Sequence, residues 1–263
     1  MKITALAENQ SDGQLKAVHG LSLYIETPNH KILFDLGPDQ TMFDNSRILG
    51  ADLTAVDTVI ISHGHSDHGG ALRQFLAINH TAKIYVQRKA FQKHYLKILF
   101  FKTDIGIDAE LMNHPQIVLT EGDCDIDGEL KLITVADTSK CRSGANSTLY
   151  DENGKDTFQH EQNLLILGDS NVLITGCGHA GIVNIMERTE QYSPKVCIGG
   201  YHLFNPTTKK TVADGLLEEI AAHLSGYDTD YYTCHCTGMK AFRYLSESLD
   251  RMSYFSCGSS IEI

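Results

Sequence analysis

Three imidazoles and a carboxylate fall within six residues at His63-Gly64-His65-Ser66-Asp67-His68. Clustering of that kind is costly unless something positive is bound, and imidazole nitrogen with carboxylate oxygen is a donor set for zinc, manganese, iron or nickel. His63 and His65 can point the same way from an extended segment, while Asp67 and His68 begin a turn and address a second nearby point. Gly64, Gly69 and Gly70 permit the tight backbone that such convergence needs. A single histidine in a polar loop is ordinary. This HxHxDH spacing, wedged between an apolar run and a helical pattern, points to a metal site.

The elements around the motif have to hold it. Val56–Ile61 is a nearly continuous apolar run, as expected of a strand buried on both faces, and it ends just before His63. Residues 69–79 carry helical spacing through Leu72, Phe75, Leu76 and Ile78. Upstream, Leu21–Glu26 and Lys31–Asp35 read as a β-hairpin turned by Pro28-Asn29-His30, with a short helix following through residue 49. Residues 83–86 suggest another strand, and 88–101 suggest a helix inside a weakly patterned stretch running to residue 115, a candidate lid insertion. Strands are expected at 116–120 and 130–136. A second hairpin is expected at 162–167 and 171–175. A helix (180–191), strand (195–199), helix (212–224), strand (229–233) and helix (238–249) follow. The halves echo each other in element order, and no linker divides residues 1–263, so a single α/β domain of mixed sheets covered by helices is the expectation.

Composition narrows the function classes. The chain has 263 residues, 42% of them hydrophobic, with 13 His, no Trp and a net charge of −11. Such acidity argues against a nucleic-acid or anionic-membrane partner. It leaves a phosphorylated small molecule open, because bound cations reverse the local sign. No GxxxxGK[ST] stretch is present. Seven cysteines in no framework spacing, with neither a signal-peptide pattern nor a membrane-length apolar run, give the expectation of a cytoplasmic protein.

HxHxDH at a strand-to-helix junction resembles the metallo-β-lactamase superfamily. Further stretches resemble the subgroup containing the archaeal dihydropterin ribofuranosylaminobenzene phosphate synthase. They are His19-Gly20-Leu21-Ser22 with Ile32–Gly37, Thr175-Gly176-Cys177-Gly178-His179-Ala180-Gly181-Ile182, Gly199-Gly200-Tyr201-His202-Leu203 and Cys234-His235-Cys236-Thr237-Gly238. The resemblance implies a four-layer αββα sandwich carrying one or two metals. It implies His63, His65 and His179 as ligands of a first metal, and Asp67, His68 and His235 as ligands of a second. Two divalent ions are expected, zinc first, with manganese, iron or nickel also compatible with these donors.

One position departs from the pattern: Thr175-Gly176-Cys177 stands where many members carry a bridging aspartate. Cys177 is expected to pack as a small buried residue, with soft ligation the alternative. Cys234 and Cys236, read as an extended segment, should point away from His235. His202 follows the strand 195–199 and is expected to bind substrate or transfer a proton, and His19 opens its strand near enough to touch substrate. Glu161 is a candidate support for a ligand histidine. His30, His80, His94, His114 and His223 are expected on solvated faces.

The resulting expectation is a metal-dependent hydrolase using metal-bound hydroxide on a small anionic substrate, with Asp67 and His202 catalytic. The alternatives are a dihydropterin-linked ribosyl transfer and a metal-dependent ligand sensor without turnover.

Overall fold

The computed structural model describes residues 1–11 and 13–263. The chain divides into two compact units, Met1–Glu121 with Tyr150–Gly154 and Ser256–Ile263, and Gly122–Leu149 with Lys155–Phe255.

In the first unit the apolar run before the motif forms the strand Thr58–Ile61, all four residues buried. It lies inside a sheet that, among the described residues, has seven strands. Their order is Ser260–Glu262, Lys2–Ala7, Ser22–Glu26, Lys31–Phe34, Thr58–Ile61, Lys83–Gln87 and Ile117–Thr120. The first three pairings are antiparallel and the last three parallel. The predicted first hairpin is present in the register Leu23↔Phe34 to Glu26↔Lys31. Helix Thr41–Leu49 buries Met42 and Phe43, and helix Leu72–Leu76 buries Leu72, Phe75 and Leu76, in a core with Leu33, Val59, Ile61, Ile84 and Val86.

The second unit repeats the pattern. Among the described residues its sheet also has seven strands, in the order Met252–Tyr254, Asp230–Thr233, Val196–Gly199, Val172–Ile174, Asn163–Ile166, Leu130–Ile133 and Cys124–Asp125. Three pairings are parallel and three antiparallel. The predicted second hairpin is there, with Leu164 opposite Ile174. Helices Ile182–Thr189, Asp214–Leu224 and Met239–Ser248 pack Ile185, Leu217, Ile220 and Leu245 against Leu173, Cys197 and Tyr231. The echo between the halves is thus an echo of sheet topology.

Parallel strands end on the same edge. In the first unit Asp35 and His63 follow two neighbouring parallel strands. In the second, His179, His202 and His235 each lie beyond one of three neighbouring parallel strands. Segments just past the carboxyl ends of parallel strands are where such sheets place their chemistry.

Residues 88–101 depart from the helix expected of them. Arg88–Phe91 is a short 3₁₀ turn, and His94–Ile98 pairs antiparallel with Phe101–Asp104. Leu96, Leu99 and Phe100 keep helical spacing, but Ile98 and Phe101 fall off that face. Two-sided strand pairing accommodates them, with Leu99 at a φ of 52° in the turn. Lys102 lies 3.4 Å over the Tyr95 ring across the hairpin, and Lys93 pairs with Asp104 at 3.1 Å. The strands Lys2–Ala7, Met252–Tyr254 and Ser260–Glu262 have no counterpart in the sequence reading. Lys2–Ala7 is buried from its second residue onward, so it shows no alternation by which to recognise it. Among the described residues no helix is long and apolar enough to cross a membrane.

Candidate metal centre

Strand Thr58–Ile61 delivers Ser62 and His63 at its end, and the chain then turns into the short helix Ser66–Gly69. A side chain at Gly64 would place its Cβ 2.5 Å from the Ala90 carbonyl oxygen, so only glycine fits there. The motif residues come together: the His63 ring lies 4.6 Å from that of His65 and 4.2 Å from that of His68. Asp67 Oδ2 stands 3.9 Å from His68 Nε2. His63, His65 and His68 are buried, while the Asp67 side chain stays partly exposed.

One carboxylate organises this group. Asp35, fully buried at a φ of 60°, accepts from Ser62 N (2.7 Å), Ser62 Oγ (2.7 Å) and His68 Nδ1 (2.6 Å). The Ser62 hydroxyl proton is committed to Asp35, so Ser62 Oγ accepts from His63 Nδ1 at 2.8 Å. Both imidazoles are thereby held as Nδ1–H tautomers, and the lone pair that a metal needs sits on Nε2.

His19 reaches this cluster, with Nε2 3.4 Å from Asp67 Oδ2 and Nδ1 3.3 Å from the Asn9 amide. Its side chain is half exposed. His94 corrects the expectation of a solvated face. It is buried, its ring centroid lies 5.7 Å from that of His65, and its Nε2 bonds the Lys89 carbonyl at 3.2 Å. The reason is the hairpin, which turns residue 94 inward where a helix would have exposed it.

In the second unit His179 is fixed from three sides. Its Nδ1 donates to Asn146 Oδ1 at 2.8 Å, and Asn146 Nδ2 donates to the His179 carbonyl at 3.0 Å. The Phe158 ring stacks on its imidazole at 4.3 Å, nearly parallel at 6°. Its backbone N–H donates to Glu161 Oε1 at 2.7 Å, and Ala180 N–H donates to Oε2 at 2.9 Å. Glu161 therefore holds His179 through the backbone rather than the ring. Burial pushes the Glu161 carboxyl up to about 7, against the downward pull of the Ala180 and His179 amides.

His235 opens a 3₁₀ turn, His235–Thr237, at a φ of 49°. The turn overrides the extended geometry that was to send Cys236 away from His235. Cys177, His235 and Cys236 each offer a donor atom within 4.8 Å of the other two. Cys177, His179 and His202 form another such group. Cys177 is buried as expected, and its sulfur is common to both groups. The His202 ring lies 4.2 Å from that of His179. Its backbone follows from Gly199, at a φ of 144°, where a Cβ would stand 2.1 Å from the Thr175 carbonyl oxygen.

The structure thus gathers His63, His65, Asp67 and His68 with His19 in one unit, and His179, His202 and His235 with Cys177 in the other. These donors fit a divalent ion: neutral imidazoles with Nδ1 tied to oxygen acceptors at His63, His68 and His179 are the arrangement that metal ligands require. Sequence reasoning missed Asp35, Ser62, Asn146 and Phe158 in this role. Asp35 had one readable signal, a carboxylate at the end of an apolar strand. Asn146 and Phe158 had none.

Residues 15–139 match the model of the metallo-beta-lactamase superfamily. The uncharacterized protein MJ0448 of Methanocaldococcus jannaschii is 30% identical, over 99% of this chain and 100% of its own length. The same organism's 7,8-dihydropterin-6-methyl-4-(beta-D-ribofuranosyl)-aminobenzene-5'-phosphate synthase is 26% identical, over 92% of this chain and 89% of its own. Among solved structures, Tm1679, described as a metal-dependent hydrolase of the beta-lactamase superfamily, has a TM-score of 0.84 at 27% identity and covers 100% of this chain and 99% of its own. The α/β fold, the HxHxDH cluster and these likenesses agree: the chain belongs to the metallo-β-lactamase superfamily.

Proposed function

We propose that the chain is a metal-dependent hydrolase acting on a small, phosphorylated or otherwise anionic substrate. The observation that carries this reading is the His63–Ser62–Asp35–His68 chain of hydrogen bonds, which presents two imidazole lone pairs from buried positions. Core packing alone gives no reason to bury three histidines and an aspartate so close together. In this reading His63, His65, Asp67 and His68 of the first unit, and His179 and His235 of the second, are the ligands for up to two divalent ions, with zinc favoured by the sulfur of Cys177 close to His179 and His235. Such ions supply Lewis acidity, polarising the bond to be broken and making water nucleophilic near neutral pH.

The protein's own groups do the rest. In this reading Asp67, the partly exposed member of the motif, takes the proton from the attacking water. In the same reading His19, beside it at the surface, receives an anionic group of the substrate. Asp35, Ser62 and Asn146 keep the ligand rings from turning, so little reorganisation is needed at each turnover. A reducing, cytoplasmic setting suits the thiols of Cys177 and Cys236.

The test is metal analysis of the purified protein followed by a panel of phosphomonoesters, phosphodiesters, pyrophosphates and carboxylic esters. Hydrolysis that requires the metal and is abolished by His65→Ala is the expected result. Turnover indifferent to both would sink the proposal.

The 26% likeness to the archaeal synthase favours one second reading, a pterin-linked ribosyl transfer in the same site. Incubation with a dihydropterin diphosphate and an aminobenzene ribosyl phosphate decides it by product mass: a coupled product supports transfer, and unchanged substrates reject it.

A further inference from the structure

We propose that His202 is itself a metal ligand, acting with His179 on one ion, rather than a proton carrier or a contact to substrate. This assignment rests on the reading of the chain as a metal-dependent enzyme.

His202 is only 8% exposed, yet neither Nδ1 nor Nε2 makes a hydrogen bond. An imidazole stripped of water on both nitrogens has lost its solvation with no return from the protein. A histidine merely packed in a core closes at least one nitrogen onto an acceptor, as His94 does onto the Lys89 carbonyl. A proton carrier works through a hydrogen bond to an acid or base, and neither ring nitrogen of His202 makes one.

The backbone shows that the position is enforced. His202 has a φ of 48°, in the left-handed region that a histidine seldom adopts, and such strain persists only where the surroundings over-determine it. Here its N–H donates to Cys236 Sγ at 3.2 Å and its carbonyl accepts the Ser143 hydroxyl. Both ends of the residue are pinned, and the ring is carried to 4.2 Å from that of His179. Donor atoms of His202, His179 and Cys177 lie within 4.8 Å of one another. Asn146 already engages His179 Nδ1, so His179 presents Nε2. Two imidazole nitrogens and a sulfur, all buried, make a set suited to zinc or cobalt rather than to magnesium or calcium.

The test compares wild type, His202→Ala and His202→Gly after metal stripping and reloading with cobalt(II). His202→Gly guards against misfolding, because glycine occupies a positive φ without strain. Circular dichroism melts of the metal-free proteins establish folding. Bound cobalt is counted by mass spectrometry, its visible d–d bands are recorded, and its affinity is measured by chelator competition. Both variants are expected to fold, to bind cobalt at least about tenfold more weakly and to show altered bands. Added free imidazole is expected to restore the bands in His202→Gly. Variants with wild-type affinity and spectrum overturn the assignment while leaving the proposed function standing. A wild-type protein that takes up no cobalt overturns the proposed function, and the assignment with it.

Discussion

Asp35 and His68 are joined by a hydrogen bond of 2.6 Å between Oδ2 and Nδ1, with both side chains fully buried. The pair lies at the root of the HxHxDH cluster: the carboxylate orients His68 directly and His63 through Ser62, so one residue outside the motif sets two of its rings.

Replacing Asp35 should therefore act on metal binding before anything else. Asp35→Ala is expected to weaken metal affinity by about 10- to 100-fold, the usual effect of losing a residue that orients a ligand. It should also lower stability by roughly 3 kcal/mol, because the N–H groups of His68 and Ser62 are left buried without their acceptor. Asp35→Asn should recover part of the stability and little of the affinity. Chelator competition and thermal melts report the two quantities separately.

Metal removal should soften the fold as well as abolish turnover. A ligand at 100 times its dissociation constant adds about 2.7 kcal/mol to apparent stability. The stripped protein should melt lower than the loaded one, with the difference growing as free metal is raised. An unchanged melting temperature across a metal titration would argue against binding to the native state.

Glu161 holds the start of the segment that carries His179. In Glu161→Gln one acceptor oxygen becomes an amide nitrogen and faces either the His179 or the Ala180 N–H. A buried N–H without an acceptor costs roughly 1–3 kcal/mol. Lower stability and weaker metal binding should appear together, since the His179 backbone moves. A variant that melts normally but loses metal would contradict this account.

The hairpin turn presents Leu99, Phe100 and Phe101 at 90%, 99% and 77% exposure. Side chains that bury nothing contribute little to folding, so Phe100→Ser with Phe101→Ser should change stability by no more than about 0.5 kcal/mol. The same double variant should reduce self-association at high concentration, measurable by light scattering.

The sequence by itself supplied the candidate donor residues and most of the framework. HxHxDH after Val56–Ile61 marked a candidate metal site because donor spacing and strand burial are local properties, readable over a dozen residues. Both hairpins and the parallel strands after them were legible for the same reason. What only the tertiary structure decided depends on neighbours distant in the chain. Asp35 meets Ser62 and His68 because two strands pair in parallel, and Asn146 meets His179 at a sequence separation of 33. The 88–101 segment is a hairpin because cross-strand partners outweigh its local helical spacing. His202 stands beside His179 because a left-handed backbone, held by Ser143 and Cys236, carries it there. Residue types fix which donors are available, while pairing and strain over long separations fix where each one points.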